Sequence, residues 1–342
     1  MIKKILLCAL VSIVCVSLAG GLYVYLLLNQ DINEHFSGTC SDFPMAGSGE
    51  DVQIDRDRGL AYVSLFDRLG TVKGETVGPG DILRIDLTRT PPEATSALAD
   101  GPQLHPHGIS LFIDQTGQRH LYVINHPEDR KTGKEKIERY REEQPGIFRH
   151  EETFTSPLIT RANDLVAVGR RQFYVAQDVD RKSSEKLTKL VYFNGSVYAV
   201  VADDIESGGG INTSADCKTL YIAETGGKRI RVVKRNPSDG SVSFLQNIDL
   251  GTSPDNIDVA EDGSLWVGAH SNVLALVMHF IMGRKAPSQV LRIDLSGAEP
   301  HVREIYLNAG QQISAGSGGT TYGSKLLIGS ITDRKLLMCE MN

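Results

Sequence analysis

A short apolar run, rich in aromatic and β-branched residues, recurs six times along the chain. Its copies are LAYVS from Leu60, LYVIN from Leu121, FYVAQ from Phe173, LYIAE from Leu220, LWVGA from Leu265 and LLIGS from Leu326. Consecutive copies begin 45–61 residues apart. A second run follows each: ILRIDL from Ile82, KIERYR from Lys136, LVYFNG from Leu190, IRVVKR from Ile230, VLRIDL from Val290 and LLMCEM from Leu336. Runs of this length between glycine-bearing or polar turns predict strands, and several alternate as half-exposed strands do. Six units of about four short strands each predict an all-β, six-bladed β-propeller. A sandwich or two stacked domains would not repeat one unit six times. The last unit reaches the chain end, so the segment after Cys40 is expected to give that blade its outer strand and close the ring.

The pattern breaks at the N-terminus, where residues 5–28 form a charge-free run of 24. About 20 residues span a bilayer core as a helix. Lys3 and Lys4 precede the run, and Asp31 and Glu34 follow it. This predicts a transmembrane signal-anchor helix over residues 1–30, with the propeller, residues 31–342, on the extracytoplasmic side. The alternative is a signal peptide cleaved near Ser17-Leu18-Ala19, which leaves the same body secreted. Both place the body in an oxidising compartment. Cys8 and Cys15 lie inside the run as apolar filler. A Cys40–Cys339 bridge would tie the two ends of the body together; the alternative is a pair of free thiols. Cys217 is then odd, and burial is expected for it.

Charge narrows the function. The chain carries 36 basic and 42 acidic residues, a net charge of −6, which speaks against a nucleic-acid partner. Apolar residues at 41% allow a packed core. There is no GxSxG elbow, P-loop or GxGxxG motif for nucleophilic or phosphate chemistry.

The chemistry lies upstream of the six runs, where innermost strands would begin. Glu50-Asp51, His107, Asn163-Asp164, Gly209-Gly210, Asp255-Asn256 and the GSGGTT segment from Gly316 occupy these places. Propeller geometry would gather them in one central funnel. Carboxylates and amide oxygens, without thiols, make a Ca²⁺ donor list. Asp51 and Asp164 are expected to point the other way along their strands, toward a second, deeper site. Taken singly, each Asp or Asn suits a turn cap equally well; recurrence at one blade position favours the metal. His107 and His126, in one blade, suit water activation because imidazole titrates near neutrality.

At these residues the chain resembles the paraoxonase/arylesterase family of calcium-dependent lactonases. The matching pieces are EDVQI, HPHGIS, INHPED, NDLVAVG, GINTSAD, DNIDV, LWVGAHSN, VLRIDL and KLLIGS, in order over residues 40–342. The resemblance implies a six-bladed propeller with a retained N-terminal hydrophobic segment and a Cys40–Cys339 disulfide. It implies a catalytic Ca²⁺ on Glu50, Asn163, Asp255 and Asn256. A structural Ca²⁺ would sit on Asp51, Asp164 and the backbone carbonyl of Ile109. His107 and His126 match the family's base and its relay, and His270 a further active-site histidine, placed with Gly209 at the rim. The family usually carries an asparagine ligand where this chain has Gly209, so a water is expected to fill that place. Ala269 stands where members often carry a free cysteine.

The leading reading is a membrane-anchored hydrolase of lactones and aryl esters. The other is a propeller that binds a small ligand or partner with weak chemistry or none; Gly209 favours it. Two segments stay open. NVLALVMHFIM, from Asn272, is either a core strand pair or an apolar patch on the active-site rim that touches membrane. The mixed-charge stretch Arg130–Glu143 reads as a solvated surface.

Overall fold

The computed structural model describes Leu28, residues 31–180 and residues 184–342. The expected anchor over residues 1–30 lies almost wholly outside the described residues. Among the described residues no helix is long and apolar enough to cross a membrane.

Six antiparallel sheets form the blades of a propeller. From inside outward, blade 1 is Ser48–Asp55, Leu60–Phe66, Asp81–Asp86 and Ala94–Ser96. Blade 2 is Pro106–Ile113, Arg119–Asn125, Lys136–Gln144 and Ile147–Phe154. Blade 3 is Ala162–Gly169, Gln172–Gln177, Leu187–Phe193 and Tyr198–Glu206. Blade 4 is Gly208–Thr213, Thr219–Glu224, Arg229–Arg235 and Val242–Asp249. Blade 5 is Ser253–Val259, Leu265–His270, Ser288–Asp294 and His301–Asn308. Blade 6 is Gly316–Tyr322, Lys325–Ser330 and Lys335–Met341, with Gly38–Pro44 outermost. Each innermost strand packs on the innermost strand of the next blade, around a closed ring.

The six apolar runs are the second strands. They are covered on both faces by neighbouring blades, which is why they read as continuous apolar stretches and not as alternation. Between blades 2 and 3, for example, Tyr122, Phe154, Leu165 and Phe173 are buried together. Between blades 5 and 6 the set is Trp266, Tyr306, Leu326 and Ile328. Each such side chain contributes about 1.5–3 kcal/mol of burial.

The ring closes as the sequence suggested, with Cys40 paired to Cys339 across the outer ladder of blade 6 and joined by a disulfide. The sequence separation is 299 residues, for which loop-closure arithmetic gives about 5 kcal/mol as a model-dependent upper figure. The chain adds a strap that the sequence did not announce. His35–Phe36 pairs with the outer edge of blade 5 before Gly38–Pro44 enters blade 6.

One local device recurs in every innermost strand. The pairing register slips between Gly49 and Val52, Pro106 and Ile109, Ala162 and Asp164, Gly208 and Ile211, Pro254 and Ile257, and Gly316 and Gly318. These are β-bulges, which break the two-residue alternation and re-aim side chains. They fall on the polar positions that the sequence had singled out.

Three expectations are corrected. NVLALVMHFIM is not a strand pair: after helix α1 (Arg68–Val72), helix α2 covers Val273–Met282. Asn272 Oδ1 caps it by accepting from Ala275 N at 2.9 Å, and Gly283 ends it in the left-handed conformation. The helix buries Ala275, Leu276 and His279 and leaves Val273, Ile281 and Met282 exposed. The stretch Arg130–Glu143 is not simply solvated, because Glu135, Glu138 and Glu142 are buried against partners in blade 2, and Glu142 also against Arg58 of blade 1. Cys217 is only half-buried, at φ 54° in the turn between the first two strands of blade 4.

Candidate functional site

The bulges bring Glu50, His107, Asn163, Asp255 and Asn256 to one end of the central channel. Glu50 and Asn256 meet directly: Asn256 Nδ2 donates to Glu50 Oε1 at 2.9 Å and to the Glu50 carbonyl at 3.0 Å. Ser317 Oγ donates to the same carbonyl at 2.5 Å. These bonds leave Glu50 Oε2, Asn163 Oδ1 and Asn256 Oδ1 shielded from solvent with no donor. Buried acceptors without donors cost free energy, which a bound cation would offset. Among the described residues no three His, Cys, Asp or Glu side chains group as a metal centre by themselves. The set here depends instead on amide oxygens, a calcium-like chemistry.

Asp255 completes the set. Its Oδ2 accepts from His270 Nε2 at 3.0 Å. His270, expected at the rim, is therefore buried behind a carboxylate that it orients. Gly209 is also buried, with Asp255 Oδ1 3.5 Å from where a Cβ on it would stand.

Asp51 and Asp164 lie deeper and repel one another. Asp51 is pushed up to about 8, first by burial and then by Glu50. Burial, then Asp51, raises Asp164 well above the carboxylate range. Each accepts from the next residue and from a neighbouring blade: Asp51 from Val52 N and Ile109 N, both at 2.7 Å, and Asp164 from Leu165 N at 2.7 Å and Ile211 N at 2.8 Å. It is thus the N–H of Ile109 that the structure shows at Asp51. A small space lined by Asn256, Asp258 and Thr320 adjoins Asp51. A cation between the two carboxylates would offset both penalties.

The histidines stand beside this cluster. His107 Nδ1 lies 2.7 Å from the carbonyl of Asn163. A carbonyl only accepts, so Nδ1 carries a proton, and in the neutral ring Nε2 carries the lone pair. That Nε2 is 4.0 Å from Glu50 Oε2. The ring of His126 is 4.9 Å away, tilted by 40°. His126 Nδ1 is 2.6 Å from Glu135 Oε2, and its Nε2 has no partner. Burial first, then the neighbouring His107 and Arg130 charges, hold His126 well below the usual imidazole range.

Sequence reasoning missed Glu135 and Arg68. Glu135 was hidden in the mixed-charge stretch; its other oxygen takes Arg130 at 2.8–3.0 Å. Arg68, at the start of α1, donates to Ser48 Oγ at 3.2 Å and to the Pro106 carbonyl at 2.5 Å. Its charge acts on Glu50, Asp51 and Asp255, while burial lowers its own pKa. Five residues past the start of an apolar run stand His126, in blade 2, and His270, in blade 5.

An Arylesterase family model matches residues 49–341. The chain is 33% identical over 310 residues to serum paraoxonase/arylesterase 1 of Homo sapiens, covering 85% of each chain. It is 31% identical over 316 residues to serum paraoxonase/lactonase 3 of Mus musculus, covering 87% of each. Among solved structures, a luciferin-regenerating enzyme superposes with a TM-score of 0.57 at 12% identity, over 89% of this chain and 95% of that one. Regucalcin of Agrobacterium tumefaciens, titled a calcium-binding protein, gives 0.52 at 13% identity, over 90% and 96%. Those two likenesses concern the fold alone.

Proposed function

Because the chain belongs to the arylesterase family, we propose that it is a calcium-dependent hydrolase of lactones and aryl esters. Glu50, Asn163, Asp255 and Asn256 hold the ion at the channel mouth, and Asp51 and Asp164 hold a second one below. When bound, the upper ion supplies Lewis-acid polarisation of the substrate carbonyl. His107 Nε2 accepts a proton from the attacking water. His126 Nε2 receives that proton next, its Nδ1–H kept in place by Glu135. No hydrogen bond joins the two rings among the described residues, so this transfer needs a small ring movement or a bridging water. The Cys40–Cys339 bridge fits an oxidising, extracytoplasmic compartment, reached by a retained anchor or by secretion.

The observation that carries this reading is the set of shielded, donor-less oxygens on Glu50, Asn163 and Asn256, the first of them 4.0 Å from His107 Nε2. The test is turnover of a simple lactone and of phenyl acetate by pure protein, before EDTA, after it, and after calcium is restored. Absence of turnover with both substrates in saturating calcium would leave the second reading, a ligand-binding propeller, which Gly209 favours.

A further inference from the structure

We propose that the hydroxyl of Thr225 is an oxygen ligand of the upper cation site, in the place where Gly209 contributes no side chain. The inference rests on the reading that Glu50, Asn163, Asp255 and Asn256 hold a divalent cation. It starts from the repeat. Thr225 follows LYIAE in blade 4 as His126 follows LYVIN in blade 2 and His270 follows LWVGA in blade 5. The two histidines at this position both point into the site, His126 beside His107 and His270 onto Asp255.

The space around Gly209 supplies the second observation. A Cβ on Gly209 would stand 2.6 Å from Thr225 Oγ1 and 3.5 Å from Asp255 Oδ1. The Thr225 hydroxyl and the Asp255 carboxylate therefore both border the space that a side chain at 209 would enter. A carbon at 209 and the threonine hydroxyl exclude one another, so the glycine and the threonine go together.

The bonding of the hydroxyl fits the role. Thr225 Oγ1 donates its one proton to the Pro254 carbonyl at 2.8 Å. Its lone pairs are left as acceptors. The Thr225 N–H donates to the Ser207 carbonyl at 3.0 Å, which fixes the residue from the other side. The hydroxyl is neutral, so the charge set by Glu50 and Asp255 is unchanged, and calcium accepts such oxygens readily. A water need not fill the place.

The test is calorimetric titration of calcium into EDTA-stripped full-length protein. Thr225→Val keeps the shape and removes the oxygen; it should weaken one of two sites by about tenfold or more and leave the other unchanged. Thr225→Ser should bind as wild type does. Gly209→Asn alone should fold poorly or lose calcium, because its Cβ meets the hydroxyl. Gly209→Asn with Thr225→Ala should restore the site, since no positive φ strains position 209. If Thr225→Val binds calcium as wild type does, Thr225 is only a tie between blades 4 and 5, and the proposal is overturned while the metal reading stands. If Thr225→Val does not fold, the double variant decides: binding no tighter than Thr225→Ala overturns the proposal. A wild-type protein that takes up no calcium overturns the metal reading, and this inference with it.

Discussion

Glu135 Oε2 lies 2.6 Å from His126 Nδ1, and the opposite oxygen of the same carboxylate is clamped by Arg130. The pair comes from the end of one strand of blade 2 and the residue before the next. Burial pushes the Glu135 carboxyl up, and the Arg130 charge opposes that. The carboxylate thereby fixes which imidazole nitrogen of His126 carries the proton. Glu135→Gln should lower kcat by roughly tenfold or more, with little change in melting temperature. The nitrogen shifts of His126 in NMR should show a mixed tautomer. A variant with wild-type kcat would make the pair a packing contact.

His107→Gln should reduce turnover by about 10²–10⁴-fold. Its ring is partly open to the channel, so the melting temperature should move little. Steady-state kinetics and a thermal melt on the same preparation check this. Parallel losses in both would mark His107 as structural.

Burial and then the Glu50 charge raise Asp51, and burial and then the Asp51 charge raise Asp164. Stripping divalent ions should therefore lower the melting temperature of the wild-type protein. Asp51→Asn removes one of the repelling charges, so the drop caused by EDTA should shrink in that variant. Fluorimetric melts with and without EDTA measure both drops. Equal drops would mean that the deeper carboxylates hold no ion.

Non-reducing peptide mapping should recover the Cys40–Cys339 cross-link, with Cys217 free. Cys40→Ser with Cys339→Ser should lower stability by up to about 5 kcal/mol. The buried seam of Trp266, Tyr306, Leu326 and Ile328 should keep the ring closed at ambient temperature. Denaturant unfolding of the double variant reads the difference.

The sequence by itself determined the architecture, because each blade must bury one apolar strand between two neighbours and so repeats one recognisable run. Leu121, Leu220 and Leu265 mark such strands without any knowledge of contacts. It also showed which residue types stood at the inner-strand starts. Their aim was decided only by the bulges, since a strand alternates by two and a one-residue slip turns every later side chain to the other face. That slip buries Asp255 and Asn256 side by side, and no alternation pattern contains it. Partners distant along the chain were equally hidden. Asn256 meets Glu50 across 206 residues, and Glu135 looked like one more surface charge until strand Lys136–Gln144 carried the stretch inward. Helix α2 was legible only in its cap residues, Asn272 and Gly283, because a ten-residue apolar run has no period that separates a helix from a strand. Local patterns specify elements; the meeting of side chains from different blades is a property of the closed ring.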